Sequence, residues 1–179
     1  MDIRIRLAVP SDAPVIEEML LEAARWVDAL GVVMWEEGEL DSARIAGEVA
    51  GGQFFIADAG PAEAGLHVGR VRLQPDRVPA GAIRFQLADQ QFWPDLAQGE
   101  SAFVHRLVVR RAFKGKGIST ALLAWSAARA RSLGKRFLRL DCDAQRGKLR
   151  NLYEQFGFRF HSYRQVGAYY VARYELPLD

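Results

Sequence analysis

Cysteine is almost missing from this sequence: Cys142 is the only one among 179 residues. A lone thiol closes no internal disulfide and builds no cysteine-based metal cluster, so the usage fits a reducing, cytoplasmic setting. Histidine is scarce as well. His67, His105 and His161 are scattered without ligand spacing, which argues against a catalytic metal. The opening residues, Met1-Asp2-Ile3-Arg4-Ile5-Arg6, hold no continuous apolar core, so they predict neither a secretory leader nor a membrane span. No repeat or low-complexity tract interrupts the chain. With half of the residues hydrophobic, residues 1–179 are enough for one domain with a sizeable core and short for two.

Acidic side chains are missing from one long stretch. Residues 101–140 carry 10 Lys and Arg and no Asp or Glu; residues 1–100 carry 8 against 17, and residues 141–179 carry 6 against 5. The basic stretch suits an anionic partner, and the acidic first hundred residues suit a cationic one. Nucleic acid is disfavoured as the anion, because Phe103, Phe113, Trp125 and Phe137 sit in apolar context instead of forming an exposed stacking surface.

Within that stretch, Leu107-Val108-Val109-Arg110-Arg111-Ala112-Phe113-Lys114-Gly115-Lys116-Gly117-Ile118-Ser119-Thr120-Ala121-Leu122-Leu123 reads as a strand, a basic glycine turn and a helix. The first turn of a helix leaves its N–H groups unpaired and carries partial positive charge, so a phosphate there gains several hydrogen bonds at once. Gly115 and Gly117, without Cβ atoms, let an anion approach the backbone. Lys114 and Lys116 add full charges. The spacing excludes a P-loop, since the lysines precede the glycines. It also excludes a dinucleotide fingerprint, because Thr120 stands where the third glycine belongs and no acidic residue follows through Leu140.

Periodicity orders the remainder. Ile3, Ile5 and Leu7 alternate as a half-buried strand; Pro10-Ser11-Asp12 supply a stop and an N-cap; Val15/Ile16, Met19/Leu20, Ala23 and Trp26/Val27 then recur at helical spacing. A second helix is predicted over about Ser42–Val49. Strands are predicted at Phe54–Ala57, Ala82–Leu87, Ala102–Val109, Phe137–Cys142, Phe158–Tyr163 and Tyr169–Leu176, with a loop from Gln90 to Gly99. Helices fill Lys116–Leu133, with Ile118, Ala121/Leu122, Trp125 and Ala128 on one face, and Leu149–Phe156. The stretch Leu66–Leu73 is a further extended piece that either widens the sheet or forms its own hairpin.

The turn resembles motif A of the GNAT superfamily of acyl-CoA-dependent N-acyltransferases, whose pattern is Gln/Arg-x-x-Gly-x-Gly/Ala. Lys114 stands at the first position, Gly117 matches and Ser119 replaces the last small residue. Leu138 to Asp143, followed by Leu149-Arg150-Asn151-Leu152-Tyr153-Glu154-Gln155-Phe156-Gly157-Phe158, is similar to motif B, which ends in Tyr-x-x-x-Gly-Phe. The resemblance runs over most of the chain. It implies an α/β fold of α+β type: a mixed, mostly antiparallel sheet of about seven strands with about four helices, in the order β-α-α-β-β-β-α-β-α-β-β.

It also implies acetyl-CoA as cosubstrate and direct transfer, in a ternary complex, to a primary amine of a small molecule or protein. Cofactor contacts fall on Leu107, Val108, Val109, Lys114, Gly115, Lys116, Gly117, Ile118, Ser119 and Thr120. Arg146 stands where many members carry an asparagine on the pantetheine amide. Tyr153 is the implied acid toward the departing thiolate. For the base, His105 and Glu100 are the candidates, with Asp141 and Asp143 near the fifth strand of the family order. Trp35, Glu36 and Trp93, with Glu37, Glu39 and Asp95 nearby, occupy the regions that shape acceptor specificity. The protein is expected to need no metal, nucleic acid or membrane, and to be a monomer or homodimer. A catalytically silent acyl-CoA-binding module and a nucleic-acid binder using the basic stretch are the competing readings.

Overall fold

The computed structural model describes residues 1–29, 31, 35, 38–60, 67–68, 71–72, 77–97 and 99–178. The elements follow in the order β1 (Asp2–Leu7), α1 (Ala13–Asp28), α2 (Ser42–Ala50), β2 (Phe54–Gly60), β3 (His67–Val68), β4 (Val71–Arg72), β5 (Val78–Gln86), β6 (Ser101–Val109), α3 (Ile118–Ser132), β7 (Phe137–Asp143), α4 (Gly147–Phe156), β8 (Arg159–Val166) and β9 (Tyr169–Pro177). Seven strands share one sheet in the order β1-β2-β5-β6-β7-β9-β8. β6 and β7 run parallel, whereas β1–β2, β7–β9 and β8–β9 are antiparallel. Within the extended piece predicted at Leu66–Leu73, the described residues of β3 and β4 pair antiparallel with each other in a separate two-stranded sheet.

The chain divides into two compact units with boundaries inside β5, β6 and α3. The first comprises Met1–Ile83 and Leu107–Leu122. Its core packs Ile16, Met19 and Leu20 of α1 and Ile45 and Val49 of α2 against Phe54, Ile56, Ala82 and Val108. Each such aliphatic side chain, taken from water, contributes roughly 1.5–3 kcal/mol. Asp12 differs from its expected role. Its carboxylate makes no cap bond into α1; it accepts the Val9 amide at 2.7 Å and the Arg6 guanidinium at 2.6 and 3.0 Å, and Arg6 also donates to Asp58 at 2.7 Å. Pairing with a charged partner outweighs capping because all three groups are largely withdrawn from water.

The second unit comprises Arg84–Arg106 and Leu123–Asp179. Trp93, Leu138 and Tyr174 are fully enclosed, and two buried guanidiniums flank the Trp93 ring: Arg139 at 5.5 Å and Arg173 at 4.6 Å. Arg173 is held bidentately by Asp95 at 2.6 and 3.0 Å, and Arg139 by Glu175 and the Ser101 hydroxyl. Helix α3 buries Leu122, Leu123, Ser126, Ala127 and Ala130, while Ala128, expected on that face, is exposed. Gly134 closes α3 at φ 67°, with the Lys135 amide donating to Ala130 O at 3.0 Å.

Candidate active site

The basic turn lies wholly in the first unit. Strand β6 sends Val108 into the core, so its neighbours Leu107 and Val109 face the other way and stay half-buried. Gly81 sets how closely β5 approaches. A Cβ there would stand 2.7 Å from Val108 O and 2.8 Å from Ile118 Cγ2, so only glycine lets β5, β6 and the head of α3 meet. This glycine carried no sequence signal beyond sitting in an apolar strand.

After β6 the Arg110 amide donates to Ala80 O at 2.9 Å, and the Arg110 side chain pairs bidentately with Glu18 at 3.1 and 2.9 Å. Arg111 lies 4.4 Å over the Trp26 ring. Gly115 and Gly117 then adopt φ of 75° and 79°, a region closed to other residues at low cost. The helical ladder starts with the Ala121 amide donating to Gly117 O at 3.0 Å, so the amides of Ile118, Ser119 and Thr120 lie ahead of it. Nothing stands within 4 Å of the place a Cβ would take on either glycine. Open space, forward-facing amides and two exposed lysines fit a phosphate group.

Tyr153 belongs to the second unit. It sits in the last turns of α4, 6% exposed, with its ring edge-on to Phe158 at 6.0 Å and near Tyr174 at 6.3 Å. The motif spacing has a structural cause: Gly157 turns left-handed at φ 116°, and the Gly157 and Phe158 amides both return to Tyr153 O, at 3.2 and 3.0 Å. Burial, with the neighbouring Cys142 and Asp141, pushes the Tyr153 hydroxyl far above the usual phenol range. The same burial pushes the Cys142 thiol up to about 12, leaving it inert. Arg146 occupies the N-cap of α4, its amide donating to Asp143 O at 3.2 Å.

A third group lies in the same unit. The β6–β7 ladder pairs Ser101 to Val104 with Phe137 to Leu140 and ends there; Arg106 then takes a positive φ of 50°. Just past the last pair, His105 Nε2 faces Asp89 Oδ2 at 3.3 Å and its Nδ1 faces Asp141 Oδ1 at 3.5 Å. Both oxygens are buried without a hydrogen bond of ordinary geometry. Burial works against the charge on Asp89, but His105 and the Phe92 and Gln91 amides, donating at 2.9 and 3.0 Å, hold its carboxyl below the usual range. Burial raises Asp141 to about 6, with the charge of Asp89 adding to the effect and His105 opposing it. One imidazole and two carboxylates with donor atoms within 4.8 Å of one another could also hold a divalent cation, which the spacing of the histidines alone did not suggest.

The other expected residues separate. Glu100 precedes β6, is exposed, and pairs with Arg136 at 3.1 Å, away from the cluster. Trp93 corrects its expected place at the acceptor: with 0% exposure and guanidiniums on it, the indole offers no face to a small molecule. Asp95 is likewise occupied by Arg173, which holds its carboxyl down at about 2. Trp35 packs, half-buried, against the core of the first unit. Glu36 and Glu37 lie outside the described residues. Sequence reasoning missed Asp89; it follows a strand end, where aspartate ordinarily signals only a turn.

Among the described residues no helix is long and apolar enough to cross a membrane. Residues 35–158 match the Acetyltransferase (GNAT) family. An uncharacterized N-acetyltransferase of Bacillus subtilis strain 168, YesJ, is 30% identical over 160 residues, covering 86% of this chain and 79% of that protein. A GNAT-family acetyltransferase of Listeria monocytogenes 4b F2365 superimposes with a TM-score of 0.72 at 24% identity, over 97% of this chain and 95% of that one. The yncA protein of Salmonella typhimurium, a putative acetyltransferase solved with its cofactor acetyl-CoA, gives 0.69 at 18% identity, over 100% and 95%. With its strand order, glycine turn and tyrosine helix, this chain belongs to the GNAT family of acetyltransferases.

Proposed function

We propose that this chain transfers the acetyl group of acetyl-CoA directly to a primary amine of a small molecule or protein. The observation that carries the cosubstrate is the turn at Gly115 and Gly117, whose open, positive-φ backbone and forward amides at the head of α3 suit a pyrophosphate. The acetyl-CoA held by the Salmonella relative supports the same choice. In this reading Lys114 and Lys116 add charge at the phosphates, and main-chain groups of Leu107 and Val109 pair with the pantetheine arm. Arg146 supplies a further donor to its amide or to a phosphate.

The amine nitrogen attacks the thioester carbonyl carbon, a tetrahedral oxyanion forms, and the C–S bond breaks. An ammonium acceptor loses two protons in all: one to a base before attack, one to the departing sulfur. Tyr153 serves that sulfur. Its hydroxyl holds its proton far more tightly than a thiol does, so it stabilises the thiolate as a hydrogen-bond donor and keeps its own proton at the end.

A thermal-shift series with acetyl-CoA, CoA, NAD and ATP tests the reading. A ligand at a hundred times its Kd stabilises by about 2.7 kcal/mol, or roughly 5–10 °C for a chain of this size. Acetyl-CoA and CoA are expected to give that shift, and the absence of a shift with both would refute the proposal. Thiol release against amines, polyamines, amino acids and aminoglycosides then identifies the acceptor.

A further inference from the structure

Two carboxylate oxygens are buried beside His105 with no hydrogen to accept in ordinary geometry. They are Asp89 Oδ2 and Asp141 Oδ1, on side chains only 5% and 10% exposed. They stand 3.3 Å from Nε2 and 3.5 Å from Nδ1 of the ring, beyond the roughly 2.7–2.9 Å of a charge-assisted hydrogen bond. Two ligands each about 2.1 Å from one tetrahedral ion stand roughly 3.4 Å apart. Whichever ring nitrogen takes an ion, one carboxylate oxygen already has that spacing, and all three donor atoms lie within 4.8 Å of one another.

The donors are held ready. Asp89 Oδ1 accepts the Phe92 and Gln91 amides at 2.9 and 3.0 Å, which fixes the carboxylate with Oδ2 toward the ring. Arg173, opposite Asp141 in register, is the cation nearest to hand, but Asp95 takes its guanidinium at 2.6 and 3.0 Å, and Phe92 O and Ser162 Oγ accept from it as well. Cys142, the next residue of β7, falls on the opposite face of the sheet, so no thiol joins the set. The His105 side chain keeps 13% of its surface exposed, which leaves an ion a way in.

We propose that Asp89, His105 and Asp141 form a binding site for a divalent first-row transition ion, zinc foremost. One imidazole and two carboxylates suit such an ion, whereas magnesium and calcium take oxygen donors. Three protein ligands leave the fourth position of a tetrahedral ion to water or a small anion. The ion joins the turn after β5 to β6 and β7 just past Val104, where the β6–β7 ladder ends. It therefore acts as a clamp at the point where backbone pairing between the two strands stops. The spacing of the histidines is silent on such a site, because two of its three ligands are aspartates from other elements. The inference does not depend on the acetyl-transfer reading.

Calorimetry and thermal unfolding of the whole chain, stripped with a chelator and titrated with zinc, manganese or magnesium chloride near neutral pH, test it. Zinc is expected to bind once per chain in the micromolar range and to raise Tm by roughly 5–10 °C at a hundred times its Kd. Manganese should bind more weakly and magnesium should give no shift. D89N, D141N and H105Q are each expected to weaken zinc by about 100-fold or more, whereas H161Q, whose histidine lies against Trp93 and Ser162, keeps the parental affinity. D141N also separates ligation from charge. Without the ion it relieves the crowding of two buried carboxylates and unfolds at higher temperature than the parent; saturating zinc raises the parent and removes that lead.

A parent that zinc does not shift overturns the proposal, as does zinc binding that survives in all three variants. Equal shifts from magnesium and zinc overturn it too, since they would report general charge screening. Should H105Q fail to fold, the two asparagine variants, which keep the size of the side chain, decide. The acetyl-CoA shift recorded in chelator reports on the acetyl-transfer reading alone, so the two can fail separately.

Discussion

Replacing Gly117 by alanine separates two costs that usually travel together. At φ 79° an alanine is strained by about 1–2 kcal/mol, of which the stiffer unfolded chain returns roughly 0.4–1. With nothing within 4 Å of the added methyl, no clash contributes, so the net loss is about 1 kcal/mol, or about 2–4 °C in Tm. Gly134, at the far end of the same helix, has φ 67° and equally open surroundings, so Gly134→Ala should cost the same. The two differ only at the ligand. The Gly117 methyl projects where a phosphate would lie against the amides of Ile118, Ser119 and Thr120, and each charge-assisted hydrogen bond it spoils is worth about 1.5–3 kcal/mol. G117A is therefore expected to weaken acetyl-CoA by roughly 10- to 100-fold in KM and in calorimetric Kd, and G134A to leave both unchanged. Equal acetyl-CoA affinity in the two variants, at matched Tm loss, would refute the placement of the phosphates.

Gly81→Ala forces a Cβ against Val108 O and Ile118 Cγ2, so urea unfolding should show a loss of about 2–3 kcal/mol; a change below about 0.5 would mean the strands yield freely. Tyr153→Phe keeps the packing on Phe158 and removes one hydrogen bond to the leaving sulfur, so kcat should fall about 10- to 100-fold with KM for acetyl-CoA unchanged. Asp141→Asn is expected to stabilise the fold. The folded carboxyl, near 6, lies above its unfolded value of 3.8, so the parent loses stability as pH rises through that window. The variant should be more stable by roughly 1–3 kcal/mol at pH 8, with the difference shrinking toward pH 4.5, and a variant less stable at pH 8 would contradict the assignment.

The succession of strands and helices was legible because periods of 2 and 3.6 sort apolar side chains without help from the rest of the chain. Ile3, Ile5 and Leu7 mark β1 on their own, and Gly134 and Gly157 end α3 and α4 where expected. The inward face of α3 was less legible, because alanine and serine occur on every side of it: Ser126 is enclosed and Ala128 exposed, an order that no hydrophobicity scale returns. The glycine turn before α3 and the end of α4 at Gly157 were legible because glycine at a fixed spacing marks a change of backbone conformation. Asp89 could not be found in that way. It meets His105 and Asp141 only through the register of β6 with β7 and the turn after β5, which are long-range facts. Trp93 failed as an acceptor residue for a related reason: its neighbours Arg139 and Arg173, ordinarily surface residues, are buried against it.

The ten basic residues of 101–140 look in sequence like one electrostatic patch, and the structure distributes most of them elsewhere. Arg110 is tied to Glu18, Arg136 to Glu100 and Arg139 to Glu175; Arg129 and Arg131 sit in the last turn of α3; Lys135 donates to Gly99 O; Arg111 lies on Trp26. The turn itself keeps Lys114, with no carboxylate partner among the described residues, and Lys116, which lies 5.2 Å from the Phe113 ring centroid. Two exposed charges act through solvent and are screened over about 10 Å at 0.1 M salt and about 3 Å at 1 M. The helix amides act by contact and are not. Replacing both lysines by glutamine should therefore weaken acetyl-CoA by roughly 10-fold at 0.05 M salt and by much less at 0.5 M, whereas the G117A loss should hardly depend on salt. A lysine effect that persists at 0.5 M salt would mean that these side chains touch the phosphates directly, and the amides would then no longer be the principal ligands of the turn.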